Sequence, residues 1–299
     1  MLKKNVKTNI TGYLFSLPYL LGMIIFTLIP TALAVYYSLC DYPMIAPPEF
    51  IGLANYKNLL SDEIFAKGLK NSLYFAVLFA PSMTLISLAF AVVLNRAVNY
   101  FKGKSLVIIR AIYYFPAIAP WAVIGTIAMW FFNKDVGAIN NVIEFLGFDR
   151  IAFLTAKSKW FIPSMVSSGV WKGLGYMMFI YLVGLQNIPS SFYEAADIDG
   201  ASGWHKIKYI TIPQLTPTIF FVSIISILWS FNTFEQFYIM GSTINDSDLE
   251  GLNLIMYMYN LGFKYFKMGY STSIAWVLFV ITGTITLIQN KLQKYWVHY

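Results

Sequence analysis

The chain is short of charge, cysteine and histidine, and each shortage removes a class of function. Only 12% of its 299 residues are charged, where a soluble domain carries about a quarter. The single cysteine, Cys40, excludes an internal disulfide and a thiolate metal cage. Two histidines, His205 and His298, are too few for a histidine metal site. No Lys/Arg cluster is interleaved with aromatics along a polar face, which argues against nucleic acid as a partner. The P-loop spacing is missing as well, so the chain does not itself hydrolyse ATP by that mechanism. Neither a catalytic set nor a cofactor motif emerges, and no catalytic residue, metal ligand or cofactor is assigned.

What is present is apolar. Hydrophobic residues make up 58% of the chain, and the mean hydropathy is +0.61. That balance points to a polytopic membrane protein lying in a lipid bilayer. Apolar runs of about 20 residues mark spanning helices. Six are found, at 13–38, 71–94, 106–132, 162–186, 214–239 and 269–290. The expected fold is all-α: one transmembrane domain over residues 1–299. Lys3, Lys4 and Lys7 followed by an apolar run resemble a secretory signal. The run from Tyr13 to Leu39 exceeds the roughly 7–15 residues of a signal core, so it reads as a retained first helix.

Six spans put both termini on one side. Eleven Lys/Arg fall on that side and nine on the other, where the loops are longer. The positive-inside rule then places both termini, and the 187–213 loop, in the cytoplasm of a prokaryotic cell membrane.

That loop is the longest polar, helix-compatible segment of the second half. Pro189-Ser190-Ser191 supplies a turn and hydroxyl caps, after which Phe192–Ile198 can form two helical turns. Glu194 suits the start of that helix, where the backbone dipole is positive. Ala195 and Ala196 leave a flat surface for close approach, and Gly200 permits a sharp exit. A second helical piece, Ser202–Tyr209, leads to Pro213. On residue types alone, the loop is either a docking helix or an amphipathic linker whose alanines favour helix.

Glu194-Ala195-Ala196, then Gly200, then Ile210-Thr211-Ile212-Pro213 resembles the signature loop of permease subunits of binding-protein-dependent ABC importers. Ile212 stands where leucine is usual in that pattern. The form Tyr-Glu-Ala-Ala-x-Ile-Asp-Gly-Ala resembles the carbohydrate-uptake branch, the maltose and glycerol-phosphate type. Similarity extends to Phe50–Tyr56, Gly137–Asn140 and Gly184–Pro189. Gly241-Ser242-Thr243 departs from the Gly-Gly-Pro of many members.

The resemblance implies a sugar or oligosaccharide importer driven by ATP. It further implies a second, related permease, two ATP-binding subunits and an extracytoplasmic solute-binding protein as partners. It implies that Glu194, Ala195, Ala196 and Gly200, with Tyr193 and Asp199 beside them, contact the ATPase and transmit its closure.

For the solute path, span five places Ser226, Trp229, Ser230, Thr233 and Phe237 on one helical stripe. Hydroxyls alternating with an aromatic suit a sugar, and such residues also serve interhelical packing. Span four offers Lys172, with Gly169, Gly173 and Tyr176 on the same side. At about 1.5 Å rise per residue, Lys172 stands roughly 21 Å from the inner end and Glu235 roughly 33 Å. Lys172 is either a cavity cation or a lysine that snorkels outward or neutralises a sister subunit. Two other classes stay open on the residues alone: an ion-coupled secondary transporter, and a polytopic membrane enzyme built on Glu235 and Lys172.

Overall fold

The computed structural model describes residues 2–97, 104–155, 158–241 and 249–297. Ser242 and Thr243 lie outside the described residues. His298 does too. The chain divides into two compact units, Met1–Asp62 with Met258–Val277 and Glu63–Tyr257 with Leu278–Tyr299.

In the first unit, α1 (Leu2–Met23) passes through a π-helical turn at Ile24–Leu28 into α2 (Ile29–Ser38). Pro30 has no N–H to offer the preceding turn, and the wider π turn just before it takes up the misfit. Gly12–Ser38 forms one apolar segment of 27 residues, close to the first expected run. A small ribbon follows, in which β1 (Cys40–Asp41) pairs antiparallel with β2 (Glu49–Phe50). It is the one departure from the all-α expectation among the described residues. Helix α3 (Ala54–Leu59) is fastened by Asn55, whose side-chain amide donates to the carbonyls of Ser38 and Cys40 at 3.0 and 2.9 Å.

The second unit is built on α4 (Glu63–Ala97), which packs along α8 (Phe161–Gln186) and α12 (Thr216–Phe231). Phe75, Phe79, Met83, Met177, Tyr181 and Leu215 are buried in this core. Around it run α5 (Lys104–Ile118), α6 (Trp121–Phe131) and α7 (Ala138–Phe145), then α9 (Ser190–Ile198), α10 (Gly203–Lys206), α11 (Ile212–Gln214) and α13 (Glu235–Gly241). Helices α14 (Leu254–Tyr259) and α15 (Met268–Leu292) follow in the chain. Small residues let helices approach closely, as interfaces in lipid favour. A Cβ at Gly175 would run into the Tyr113 backbone carbonyl, and one at Gly173 into the Met83 side chain.

Among the described residues, three helical segments are long and apolar enough to cross a membrane, Gly12–Ser38, Glu63–Arg96 and Met268–Tyr295, and five if each of two bent pairs is one span. The expected six runs differ from these in physically legible ways. The run 106–132 is two helices meeting at 107°, because the residue before Pro120 is pushed out of the helical region. The run 162–186 is a single helix of 26 residues, but its serines, glycines and Lys172 lower its apolarity. The run 214–239 stops at Phe231. There Asn232 turns its side-chain amide back to the Leu228 carbonyl at 2.8 Å, and Thr233 donates to Trp229 at 2.8 Å. Such side chains compete with the backbone ladder.

Candidate functional site

A cavity of about 600 Å³ opens in the second unit where helix breaks and two continuous helices converge. Helix α8 contributes Lys172, Gly173 and Tyr176, α4 contributes Phe79, and the turn after α12 contributes Asn232 and Thr233. Trp121 begins α6, Trp229 lies in the last turn of α12, and Glu235 opens α13. The cavity is therefore walled by aromatics and edged by a few polar groups, the usual composition of a small-molecule site.

Five of the residues expected on the solute path, Lys172, Gly173, Tyr176, Trp229 and Thr233, line this one cavity. Ser226 and Ser230 do not. Both are buried, and the Ser230 hydroxyl donates to the Ile227 carbonyl at 2.7 Å within its own helix. Phe237 is also off the cavity, fully buried edge-on against Phe75. The stripe drawn through Ser226 and Phe237 assumed one unbroken helix, and the break at Asn232–Phe234 turns its far end away.

The Tyr176 and Trp229 rings lie 5.6 Å apart and 32° from parallel. They make a paired aromatic surface that can receive the C–H face of a ring. Gln236 is held by α8, its amide donating to the Met165 carbonyl at 2.5 Å and to Ser168 Oγ at 2.8 Å. Asn253 donates to the Thr233 carbonyl at 2.6 Å, which fixes the turn.

Lys172 does not form an ion pair with Glu235; among the described residues the ion pairs are Lys67–Glu250, Arg150–Glu144 and Lys206–Asp197. Its ammonium instead donates to the Ala119 carbonyl at 2.6 Å and more weakly to Ala117 at 3.4 Å. It also stands 5.2 Å from the centre of the Trp121 ring. These carbonyls belong to the end of α5, left without intrahelical partners where Pro120 breaks the span. A cation there also suits the negative end of the helix. The signal in the sequence was Pro120, which with Pro116 is one of two prolines in that span that leave carbonyls without a backbone donor. Trp121 is a further wall of the cavity; Phe79 carried no chemical signal of its own, whereas Gln236, a polar residue within the expected 214–239 run, was missed.

The 187–213 loop is helical in two pieces. Helix α9 ends at Ile198, Asp199 caps it, and Gly200 turns the chain with φ +70°. No atom lies within 4 Å of the position a Gly200 Cβ would take, so conformation alone selects glycine there. Ser202 caps α10, accepting from the His205 amide. The Tyr193 hydroxyl and Thr211 Oγ1 are 3.0 Å apart, and Lys206 is paired with Asp197. Glu194, Ala195, Asp199 and Gly200 are exposed and Ala196 half-buried. Ile198 is 88% exposed and Trp204 67%.

Residues 84–296 match the family model described as binding-protein-dependent transport system inner membrane component. The chain is 36% identical over 297 residues to the probable ABC transporter permease protein YesP of Bacillus subtilis strain 168, covering 98% of this chain and 93% of that protein. It is 31% identical over 284 residues to the arabinooligosaccharides transport system permease protein AraP of the same organism, covering 94% and 87%. The lactose transport system permease protein LacF of Rhizobium radiobacter is 28% identical over 284 residues, with 94% and 93% covered. Among solved structures, a chain of a bacterial ABC transporter involved in import of the acidic polysaccharide alginate superposes with a TM-score of 0.80 at 25% identity, covering 98% of each chain. A second alginate transporter structure, in complex with a pentasaccharide-bound periplasmic protein, gives 0.82 at 24% identity over 97% and 96%.

Proposed function

The chain belongs to the family of inner membrane components of binding-protein-dependent transport systems, and we propose that it is a permease subunit of an ATP-driven importer of a sugar or oligosaccharide. The observation that carries this reading is the cavity that gathers Tyr176, Trp229 and Trp121 around Asn232, Thr233 and Glu235. Aromatic faces receive the C–H surfaces of a sugar ring, and the polar groups meet its hydroxyls. Relatives named for arabinooligosaccharides and lactose point to the same class of solute.

As an inner membrane component it takes its energy from partners, since its sequence holds no P-loop. The proposed assembly contains a second permease of the same family, two ATP-binding subunits and an extracytoplasmic solute-binding protein. Six spans fit this assembly best: the three continuous segments, the two bent pairs and α8. Both termini and the 187–213 loop are then cytoplasmic.

Tyr193, Glu194, Ala195, Ala196, Asp199 and Gly200 form the contact with an ATP-binding subunit. Support comes from the exposure of this surface and from the exposed Ile198 and Trp204 beside it. Lys172, Gly173, Tyr176, Trp229 and Thr233 line the solute path. Ser226 and Ser230 keep a place on it only if the buried side of α12 is uncovered during the cycle.

Co-purification tests the assembly. An ATP-binding subunit retained with this chain through detergent extraction and two chromatographic steps is the expected result. A chain that leaves the membrane without any ATP-binding subunit, yet still imports its solute, overturns the reading.

A further inference from the structure

Arg96 stands in the last turn of α4, and its guanidinium donates to the Gly203 carbonyl at 2.9 Å, in the first turn of α10. The end of α4 is thus bonded directly to the 187–213 loop. Gly203 is suited to this contact. A Cβ there would lie 3.4 Å from Arg96 Nη2 and 3.9 Å from Nη1, so the guanidinium rests on a bare backbone. The same carbonyl also accepts from the Ile207 amide, which uses both of its lone pairs. Arg96 makes no ion pair among the described residues.

The loop that Arg96 grips is itself braced. Lys206 is paired with Asp197 across the Gly200 turn, Tyr193 meets Thr211 at 3.0 Å, and Ser202 Oγ meets His205 Nδ1 at 2.8 Å. The first two ties join helix α9 to the segment from α10 to α11, and the third stiffens the start of α10, so the loop can move as one piece. The chain connects that piece covalently to α8 at one end and to α12 at the other. Helix α4 has no such link. It is nevertheless the helix that carries Phe79 to the cavity wall, and Phe79 is about 26 Å along the helix from Arg96 at roughly 1.5 Å per residue.

We propose that Arg96 is a positioning residue that carries movement of the 187–213 loop into α4, and through α4 to the Phe79 wall of the cavity. The inference rests on the ATP-driven reading above. It assigns to the loop a third, non-covalent connection that neither the signature residues nor the chain path supplies.

The test is the number of solute molecules imported per ATP hydrolysed by the whole transporter in proteoliposomes. A variant that merely misfolds or assembles poorly lowers import and hydrolysis together and leaves that ratio in place. Arg96→Met is expected to lower the ratio on the order of two- to thirtyfold, the range seen when residues remote from both sites carry coupling. Arg96→Lys keeps the charge but loses the planar donor fork, and is expected to lower the ratio in part. Gly203→Val pushes the guanidinium away from the other side and is expected to act like Arg96→Met. The double variant should be no worse than either single one. A wild-type ratio in Arg96→Met overturns the inference, as do additive losses in the double variant. So does a wild-type ratio in Arg96→Lys alongside a fall in Arg96→Met, which would mark a charge held for lipid headgroups. If the unmutated transporter hydrolyses no ATP in response to loaded binding protein, the functional reading itself fails. A coupled wild type with a coupled Arg96→Met removes only the role of Arg96.

Discussion

The ammonium of Lys172 lies 2.6 Å from the carbonyl oxygen of Ala119, the residue directly before Pro120. Proline ends α5, the chain turns through 107° into α6, and the freed carbonyls find their donor on α8. One side chain thus fastens the elbow of a broken span and holds Trp121 against the cavity.

Lys172→Met should therefore loosen the elbow. A hydrogen bond from a charged group to a partly buried carbonyl contributes about 1.5–3 kcal/mol, and its loss should lower the melting temperature of the purified complex. Lys172→Arg, which retains a donor, should recover most of that loss. Fluorescence-detected melting in detergent measures both. Identical curves for the Lys172→Met variant and the wild-type protein would show that the contact carries no stability.

Close packing makes a second distinction. Gly175→Ala drives a methyl group into the Tyr113 backbone carbonyl, which cannot rotate away, and overpacking of this kind costs about 1–3 kcal/mol. Gly283→Ala meets nothing within 4 Å in the same chain and should change stability by less than about 1 kcal/mol. The amount of folded protein recovered from membranes, together with its melting temperature, separates the two.

At the signature loop the expectation is loss of coupling with insertion intact. Gly200→Val places a β-branched residue at φ +70°, a conformation that costs an L-residue roughly 1–2 kcal/mol. Glu194→Lys reverses a charge on the exposed face of α9. Both variants should reach the membrane in normal amount and fail to link ATP hydrolysis to import. Unchanged uptake in both would remove the loop from the coupling path.

In the cavity, Trp229→Ala removes one ring of the Tyr176–Trp229 pair. Aromatic contacts of this kind contribute about 0.5–1.5 kcal/mol beyond buried area. Half-saturation of uptake should shift by roughly tenfold or less, while Phe237→Leu, off the cavity, should leave it in place. Transport assays across a range of solute concentration decide this.

Much of this was legible in the residues. The spacing from Glu194 to Pro213 drew attention to the loop, and the turn at Gly200 followed from residue chemistry. The hydroxyl caps expected at Ser190 and Ser191 did not form, Pro189 preceding α9 without a side-chain cap, and the cap at Ser202 was not anticipated. Lys172, Tyr176 and Trp229 stood out because polar and aromatic groups at membrane depth are rarely idle. What was not legible came from breaks in the helices. The run 106–132 was drawn as one continuous span despite Pro120, so the elbow and the place of Trp121 were missed. Thr233 was placed on the stripe of a continuous helix, though the side chains of Asn232 and Thr233 return to backbone carbonyls and end it. A helical stripe holds its direction only while the helix lasts, which is why Phe237 fell away from Thr233; Ser226 and Ser230 lie before the break, on the buried side of α12. Phe79 and Arg96 lie on α4, and only the packing of α4 against its neighbours gives either a role.

The most direct test is solute uptake into vesicles that contain the assembled transporter, with loaded binding protein outside and ATP on the side of the 187–213 loop. Uptake should require ATP hydrolysis, be blocked by vanadate and be indifferent to ionophores that collapse ion gradients. Uptake that persists in vanadate and disappears with an ionophore would contradict the account, because the energy would then come from an ion gradient and the loop would have no ATPase to follow.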